Sequence, residues 1–306
     1  MTHMLIAEAV AALGIASAGL AAHMMTRRGR GVSILIPFRC PSAGDQRTKN
    51  VEWLKRYWRA QLPGAEVIVG EDDSEGQPFS KSKAVNDAAS RASGDVFVIV
   101  DADGYIPVDR VEHCVAEIRR ARKAGQRLWF VPYRMFYRLT EAGSRLLLAS
   151  DPRKPHRFAS PLPQEYVLND TDPAIGHWYG AMIQIMPREA FECVGGWDER
   201  FRGWGGEDHA AMRAMDTLWW PHKTLPTEVL HVWHPQLGPQ GPKTLVSWRE
   251  RMWEGQEDPQ INSKLSHRYY AAQNKPPQMR RLVDEGRTDS PTEAALPKGR
   301  RRRNSI

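Results

Sequence analysis

Cysteine is scarce in this chain. Cys40, Cys114 and Cys193 are widely separated in 306 residues, and an odd, scattered set gives neither a disulfide framework nor a zinc-ligand spacing. A reducing, cytoplasmic compartment is therefore expected. Internal repeats are missing too, which excludes a solenoid or a propeller. The body of the chain also lacks a charge excess, although the formal net charge is +7. Residues 1–31 hold three arginines against Glu8, residues 276–306 hold eight basic against four acidic side chains, and these two ends account for nearly all of it. The "GRRRR" at 299–303 reads as a solvated tail rather than a nucleic-acid arm.

Residues 1–25 contain no Lys or Arg and are rich in alanine, then give way to "TRRGR". The missing basic n-region argues against a secretory signal. Two readings remain. One is a membrane-associated helix whose positive flank holds the rest of the protein on the cytoplasmic side; the other is an alanine-rich helix packed on the body.

From residue 32 short β-rich runs alternate with amphipathic stretches. "VSILIPF" (32–38), "AEVIVGED" (65–72) and "DVFVIVDAD" (95–103) read as strands. Residues 48–62 and 80–92 read as helices, the second opened by Ser80 as a cap. This alternation predicts an α/β fold, a mixed and mainly parallel sheet flanked by helices, with ligands beyond the carboxyl ends of the strands. The expected domain runs from 32 to 255, followed by a polar extension over 256–306 that is helical at first and ends in a disordered basic tail. Trp53, Trp58, Trp219 and Trp220 are expected in the core.

Polar residues gather at the expected strand ends. Arg39 follows the first strand, Glu71, Asp72 and Asp73 the second, and Asp101 and Asp103 close the third. Two carboxylates at i and i+2 of an extended chain share a face and can reach one hard divalent cation; a merely solvated strand end would look the same. The stretch "GGWDERFRGWGGEDHAAM" (195–212) is too rich in glycine for a helix. Gly205 and Gly206 can form a turn that starts a helix at about residue 208, with Glu207 and Asp208 complementing its dipole.

The order of these pieces resembles the GT-A glycosyltransferases, and specifically the β-1,4-galactosyltransferase family. Pro37, Phe38 and Arg39 match its P-F-R, and "FSKSKAVNDA" is similar to its F-x-R-x-K-x-x-N-x-G uridine segment, with Phe79, Lys81, Lys83 and Asn86 in register. Asp101 and Asp103 match its D-x-D. Tyr179 and Gly180 fall in its donor-contacting segment, and residues 203–208 match G-W-G-G-E-D throughout. The resemblance covers residues 32 to about 240. It implies a GT-A (Rossmann-like nucleotide-diphospho-sugar transferase) fold and metal-dependent transfer of a hexose or N-acetylhexosamine. The resemblance further implies a UDP-sugar donor, a glycan or protein hydroxyl as acceptor, and inversion of the anomeric centre.

By the same resemblance Asp208 is the general base, Glu207 orients the acceptor and Trp204 offers it an apolar face. Arg39, Asp72, Phe79 and Lys81 contact the nucleotide. Asp101, Asp103, His234 and His231 hold the metal, the two histidines standing where the family has a histidine and a methionine. Two imidazoles beside carboxylates favour Mn²⁺ over Mg²⁺. Two competitors stay open: a retaining enzyme similar to the polypeptide N-acetylgalactosaminyltransferases, whose loop continues W-G-G-E with asparagine, and a non-catalytic nucleotide-sugar-binding protein.

Overall fold

The computed structural model describes residues 31–39, 45–74, 78–168, 182–203, 205–235 and 261–288. An unbroken aliphatic run, Val32–Pro37, forms β1 and is buried along its whole length, as a strand covered on both faces requires. Then follow α1 (Gln46–Gln61), β2 (Glu66–Gly70), α2 (Lys81–Arg91), β3 (Val96–Val100), β4 (Gly104–Tyr105), α3 (Val108–Lys123), β5 (Phe130–Val131), β6 (Met135–Arg138) and α4 (Glu141–Ala149). The later elements are β7 (Ile183–Pro187), α5 (Arg188–Cys193), α6 (Glu207–Leu218), β8 (Lys223–Thr224), β9 (Glu228–His231), α7 (Ile261–Ala272) and α8 (Pro276–Thr288).

The main sheet has the order β2-β1-β3-β7-β5-β8. β1 pairs in parallel with β2 and β3, β7 runs antiparallel to β3 and β5, and β5 and β8 are parallel. The expected mixed, mainly parallel α/β sheet is therefore present. A second, three-stranded sheet of order β4-β9-β6 stands beyond the end of β3. Its pairing is antiparallel between β4 and β9 and parallel between β6 and β9.

Helix starts follow local chemistry. Asp45 caps α1 by accepting from Arg47 N at 2.7 Å. Ser80 caps α2, as expected, by accepting from Lys83 N at 3.4 Å. Trp53 and Trp58 are buried in the core as expected, Trp53 stacking on Tyr57 with ring centroids 5.5 Å apart. Trp220 departs from expectation: it is 55% exposed, and it is its carbonyl that reaches inward, accepting from Trp129 Nε1 at 2.6 Å. Trp219 is half-buried under the Arg127 guanidinium.

The third strand stops at Val100, three residues short of the expected end, because Gly104 N turns back to the Asp101 carbonyl at 2.9 Å. The described part of the C-terminal extension, α7 and α8, packs against α6 and buries Leu265, Tyr269, Met279, Leu282 and Val283. It is clamped by Asp198, whose carboxylate accepts from Tyr269 Oη at 2.9 Å and from Arg200, which also donates to the Leu282 carbonyl. The basic tail and residues 1–30 lie outside the described residues. Among the described residues no helix is long and apolar enough to cross a membrane.

β2 and α2 touch through Gly70. A Cβ there would lie 1.8 Å from the Ala84 carbonyl oxygen and 2.9 Å from Ala88 Cβ, a clash that only backbone movement relieves. Gly70→Ala is expected to lower unfolding stability by about 3 kcal/mol, read as a lower urea midpoint. An unchanged midpoint would mean that strand and helix can separate there without cost.

Candidate active site

The carboxyl ends of β1, β2 and β3 open on one edge of the sheet. Pro37 closes β1 opposite Gly70, and Phe38 N donates to the Gly70 carbonyl at 3.0 Å, so both residues continue the pairing. Arg39 then reaches across to Asp72, Nη2 to Oδ2 at 2.5 Å, with its guanidinium 5.6 Å from the Phe79 ring centroid. The Asp72 carboxylate is fully shielded and also accepts from Ser80 N at 2.7 Å and Ser74 N at 3.1 Å. Burial works against its charge, but these hydrogen bonds and Arg39 hold its pKa below the usual carboxylate range. Asp72 thus ties the start of α2 to the end of β2 and holds Arg39 beside Phe79.

The second sheet gathers the histidines. The antiparallel β4–β9 register sets Gly104 opposite His231, and Val232 N donates to the Asp103 carbonyl at 2.7 Å. Asp103 Oδ2 consequently stands 3.6 Å from His231 Nε2 and 3.2 Å from His234 Nε2. The backbone after β9 is held from both sides: buried Asn50 of α1 donates to the Trp233 carbonyl at 3.1 Å, and Ser144 Oγ of α4 accepts from Trp233 N at 2.7 Å. One ligand atom each from Asp103, His231 and His234 lies within 4.8 Å of the others.

This donor set fits a divalent cation. Burial, helped by His234, Arg138 and Arg47, outweighs Asp103 and pushes the His231 pKa down to about 4, which leaves its imidazole neutral. Burial disfavours the Asp103 charge as well, yet His231, His234 and Arg47 hold its pKa below the ordinary range. The Arg47 guanidinium lies 3.2 Å from each ring nitrogen of His234. Asp101 stands outside this cluster. Because β3 ends at Val100, a turn separates the two aspartates that an extended strand would have set on one face.

Asp101 belongs to a third group, built around the part-buried amine of Lys81. Lys81 Nζ lies 2.6 Å from Asp101 Oδ1, 4.0 Å from Asp208 Oδ2 and 5.5 Å from the Trp197 ring centroid. Burial opposes the Lys81 charge, but Asp101, Asp208 and Glu207 overcome it and raise its pKa. One ammonium cannot balance the part-buried carboxylate of Asp101 together with the buried ones of Glu207 and Asp208, so proton affinity rises in the group. Burial first, then the neighbouring acids, push Asp101 up to about 6 and Glu207 up to about 7, against the pull of Lys81. Asp208 goes the other way: burial notwithstanding, His209 and Lys81 keep it ionised, and His209 Nδ1 lies 3.1 Å from its Oδ1.

Glycine makes the loop possible. Gly205 and Gly206 have φ of 113° and 93°, conformations that favour residues without a side chain. They drop the chain into α6 with Glu207 and Asp208 in its first turn, and Glu207 Oε2 accepts from Gly205 N at 3.1 Å. The expected helix N-terminus is present, and its acids are buried rather than solvated.

Tyr179, Gly180 and Trp204, expected to touch donor and acceptor, lie outside the described residues. Asn86, matched to the uridine segment, instead clamps the 197–199 turn: its side chain accepts from Trp197 N at 2.9 Å and donates to the Trp197 carbonyl and Glu199, both at 2.8 Å. Arg47, Asn50 and Ser144 escaped sequence reasoning. Each acts across more than 80 residues of chain, and no local spacing signals it.

A family profile described as "Glycosyltransferase like family 2" matches residues 65–236. No curated protein sequence matches the chain. Among solved structures, the catalytic domain of Drosophila β1,4-galactosyltransferase 7 in complex with xylobiose is 13% identical, with 74% of this chain and 81% of that chain covered and a TM-score of 0.36. A mutant of that enzyme with manganese, UDP-Gal and xylobiose is 15% identical over the same shares, with a TM-score of 0.35. GalNAc-T7 with UDP, GalNAc and Mn²⁺ is 14% identical, covering 85% of this chain and 55% of that one, with a TM-score of 0.41. The profile spans more than half of the sequence and includes the D-x-D turn, the E-D loop and the histidine pair, and on that ground the chain belongs to glycosyltransferase-like family 2.

Proposed function

We propose that this protein transfers a hexose or N-acetylhexosamine from a UDP-sugar to an acceptor hydroxyl in one displacement that inverts the anomeric carbon. The observation that carries this reading is the Lys81 bridge. It ties Asp101, two residues from the cation-binding trio, to Asp208 on the acceptor side, so donor and acceptor chemistry share one network.

In this reading Arg39 and Phe79 hold the nucleotide beyond β1, with Asp72 fixing the arginine. Tyr179 and Gly180 complete the donor side, and Trp204 the acceptor side. Asp103, His231 and His234 hold the cation, and their two nitrogen donors favour Mn²⁺ over Mg²⁺. Bound there, a divalent cation supplies positive charge against the diphosphate leaving group. Asp101 orients Lys81, whose ammonium faces the reaction centre. Asp208 Oδ1 is engaged by His209, and Oδ2, with Lys81 Nζ at 4.0 Å, accepts the proton of the acceptor hydroxyl as its oxygen attacks the anomeric carbon. With a pKa near 7, Glu207 carries its proton in the more acidic range and then donates a hydrogen bond to the acceptor. The aspartate at 208, where the retaining competitor has asparagine, favours the inverting route.

Three outcomes test the proposal. UDP release from a panel of UDP-sugars is expected with Mn²⁺ and is abolished by a chelator. Asp103→Ala or His231→Ala should raise the Mn²⁺ concentration for half-maximal rate at least about tenfold, and an unchanged Mn²⁺ requirement in both would remove the trio from the reaction. Asp208→Asn should cut kcat by roughly 10² to 10⁴ with UDP binding intact, and NMR of the product should show the inverted anomer. A retained anomer with full activity in the variant would favour the competing mechanism. The acceptor KM of the wild type should increase as pH rises through about 7 and Glu207 loses its proton. Glu207→Gln, fixed in the neutral donor form, should flatten that change; the same slope in the variant would place the titration elsewhere.

A further inference from the structure

α7 and α8 lie beyond the segment that places this chain in its family, yet α7 grips the glycine-rich stretch that leads to Asp208. Asn262 is 1% exposed and takes both backbone polar groups of Arg202. Its Oδ1 accepts from Arg202 N at 3.2 Å, and its Nδ2 donates to the Arg202 carbonyl at 2.8 Å. Four residues on, Ser266 packs under the residue that opens α6: a Cβ on Gly206 would lie 3.2 Å from both Ser266 Cβ and Oγ. Tyr269 follows, donating from Oη to Asp198 at 2.9 Å, with its ring centroid 6.1 Å from that of Phe201. Positions 262, 266 and 269 form one stripe of a helix, so a single face of α7 meets the stretch three times.

The other side of the stretch is held by α2 and the residues that start it. Ser80 Oγ donates to the Phe201 carbonyl at 3.0 Å, the Phe79 carbonyl accepts from Gly203 N at 3.1 Å, and Asn86 clamps Trp197. Among the described residues from 198 to 206 there is neither helix nor strand. Their course into α6 is therefore set by these contacts from outside and not by a backbone ladder. Asn262 is the buried part of that hold, and removing it would leave two backbone groups of Arg202 without this partner.

From these contacts we infer that Asn262 is a positioning residue for sugar transfer: through Arg202 and the packing of Ser266 on Gly206, α7 fixes the entry to α6 and with it the placing of Asp208 against the acceptor. Asn262 touches no reacting atom. The inference rests on the transferase reading for the role of Asp208.

The test compares the full chain with Asn262→Ala in three measurements: hydrogen exchange over residues 197–206, Mn²⁺-dependent UDP binding, and transfer from the UDP-sugar that the wild type turns over to p-nitrophenyl β-glucoside, β-xyloside and β-N-acetylglucosaminide. The variant should exchange these amides roughly tenfold faster or more, bind UDP as the wild type does, and lose roughly 10- to 100-fold in kcat for transfer. Asn262→Asp keeps the acceptor for Arg202 N and gives up the donor to its carbonyl, so it should fall between the two. Ile118→Ala opens a cavity in α3, which packs on β7, and should lower the melting temperature without loosening 197–206. Should Asn262→Ala fail to fold, Tyr269→Phe removes only the hydroxyl on Asp198 and should show the same order of effects at smaller size. Unchanged exchange over 197–206, full transfer from a loosened stretch, UDP affinity falling in step with transfer, or equal loosening in Ile118→Ala would overturn the inference. Faster exchange in Asn262→Ala, in a chain whose wild type transfers sugar to no acceptor, would instead sink the transferase reading while the hold of α7 on the stretch stood.

Discussion

The ammonium of Lys81 is enclosed with three carboxylates, and the arrangement of the site follows from that imbalance. A positive charge taken largely out of water is tolerated only beside negative ones, and Asp101 after β3 and Asp208 at the start of α6 meet at this amine. The remaining negative charge cannot all be neutralised by one amine. Protons stay on Asp101 and Glu207 toward neutral pH, while Asp208 remains ionised because His209 adds a second positive partner. Two adjacent carboxyl groups on α6 thereby differ in proton affinity, Glu207 holding its proton more tightly than Asp208.

The smaller sheet does a different task. β3 delivers Asp101 and the chain then turns, so Asp103 falls under control of the β4–β9 pairing. That ladder sets it against His231, and the anchoring of Trp233 by Asn50 and Ser144 brings His234 to the same place. The trio of Asp103, His231 and His234 is thus built by a sheet distinct from the one at whose edge Arg39 and Asp72 meet. Lys81 connects the two, at the end of a helix whose cap, Ser80, also binds the carbonyl of Phe201 in the glycine-rich loop.

Much of this was legible in order along the chain. Aliphatic runs marked β1, β2 and β3, Ser80 marked a helix start, and the glycines at 203–206 marked a bend with acids beyond it. Such signals are local: an alternation, a cap or a φ above zero depends on neighbours within a few residues. The D-x-D spacing misled about geometry for the same reason, since its shared face assumed an extended chain and the backbone turns at Asp101. Trp220 shows a similar limit, because hydrophobicity alone did not reveal that its carbonyl, and not its ring, is the buried part.

The sequence by itself determined the parallel α/β core, the polar residues at the strand ends and the placing of Glu207 and Asp208 at a helix start, because backbone propensity and hydrophobic periodicity act over short distances. Tertiary structure alone decided that Asp101 would face Lys81 while Asp103 joined His231 and His234. It also decided that Asn86 would anchor a turn and that the Arg213 guanidinium would stand against the Tyr270 ring. These outcomes depend on the register of strands and the docking of helices far apart in the chain, where burial and charge are set by what packs against a residue.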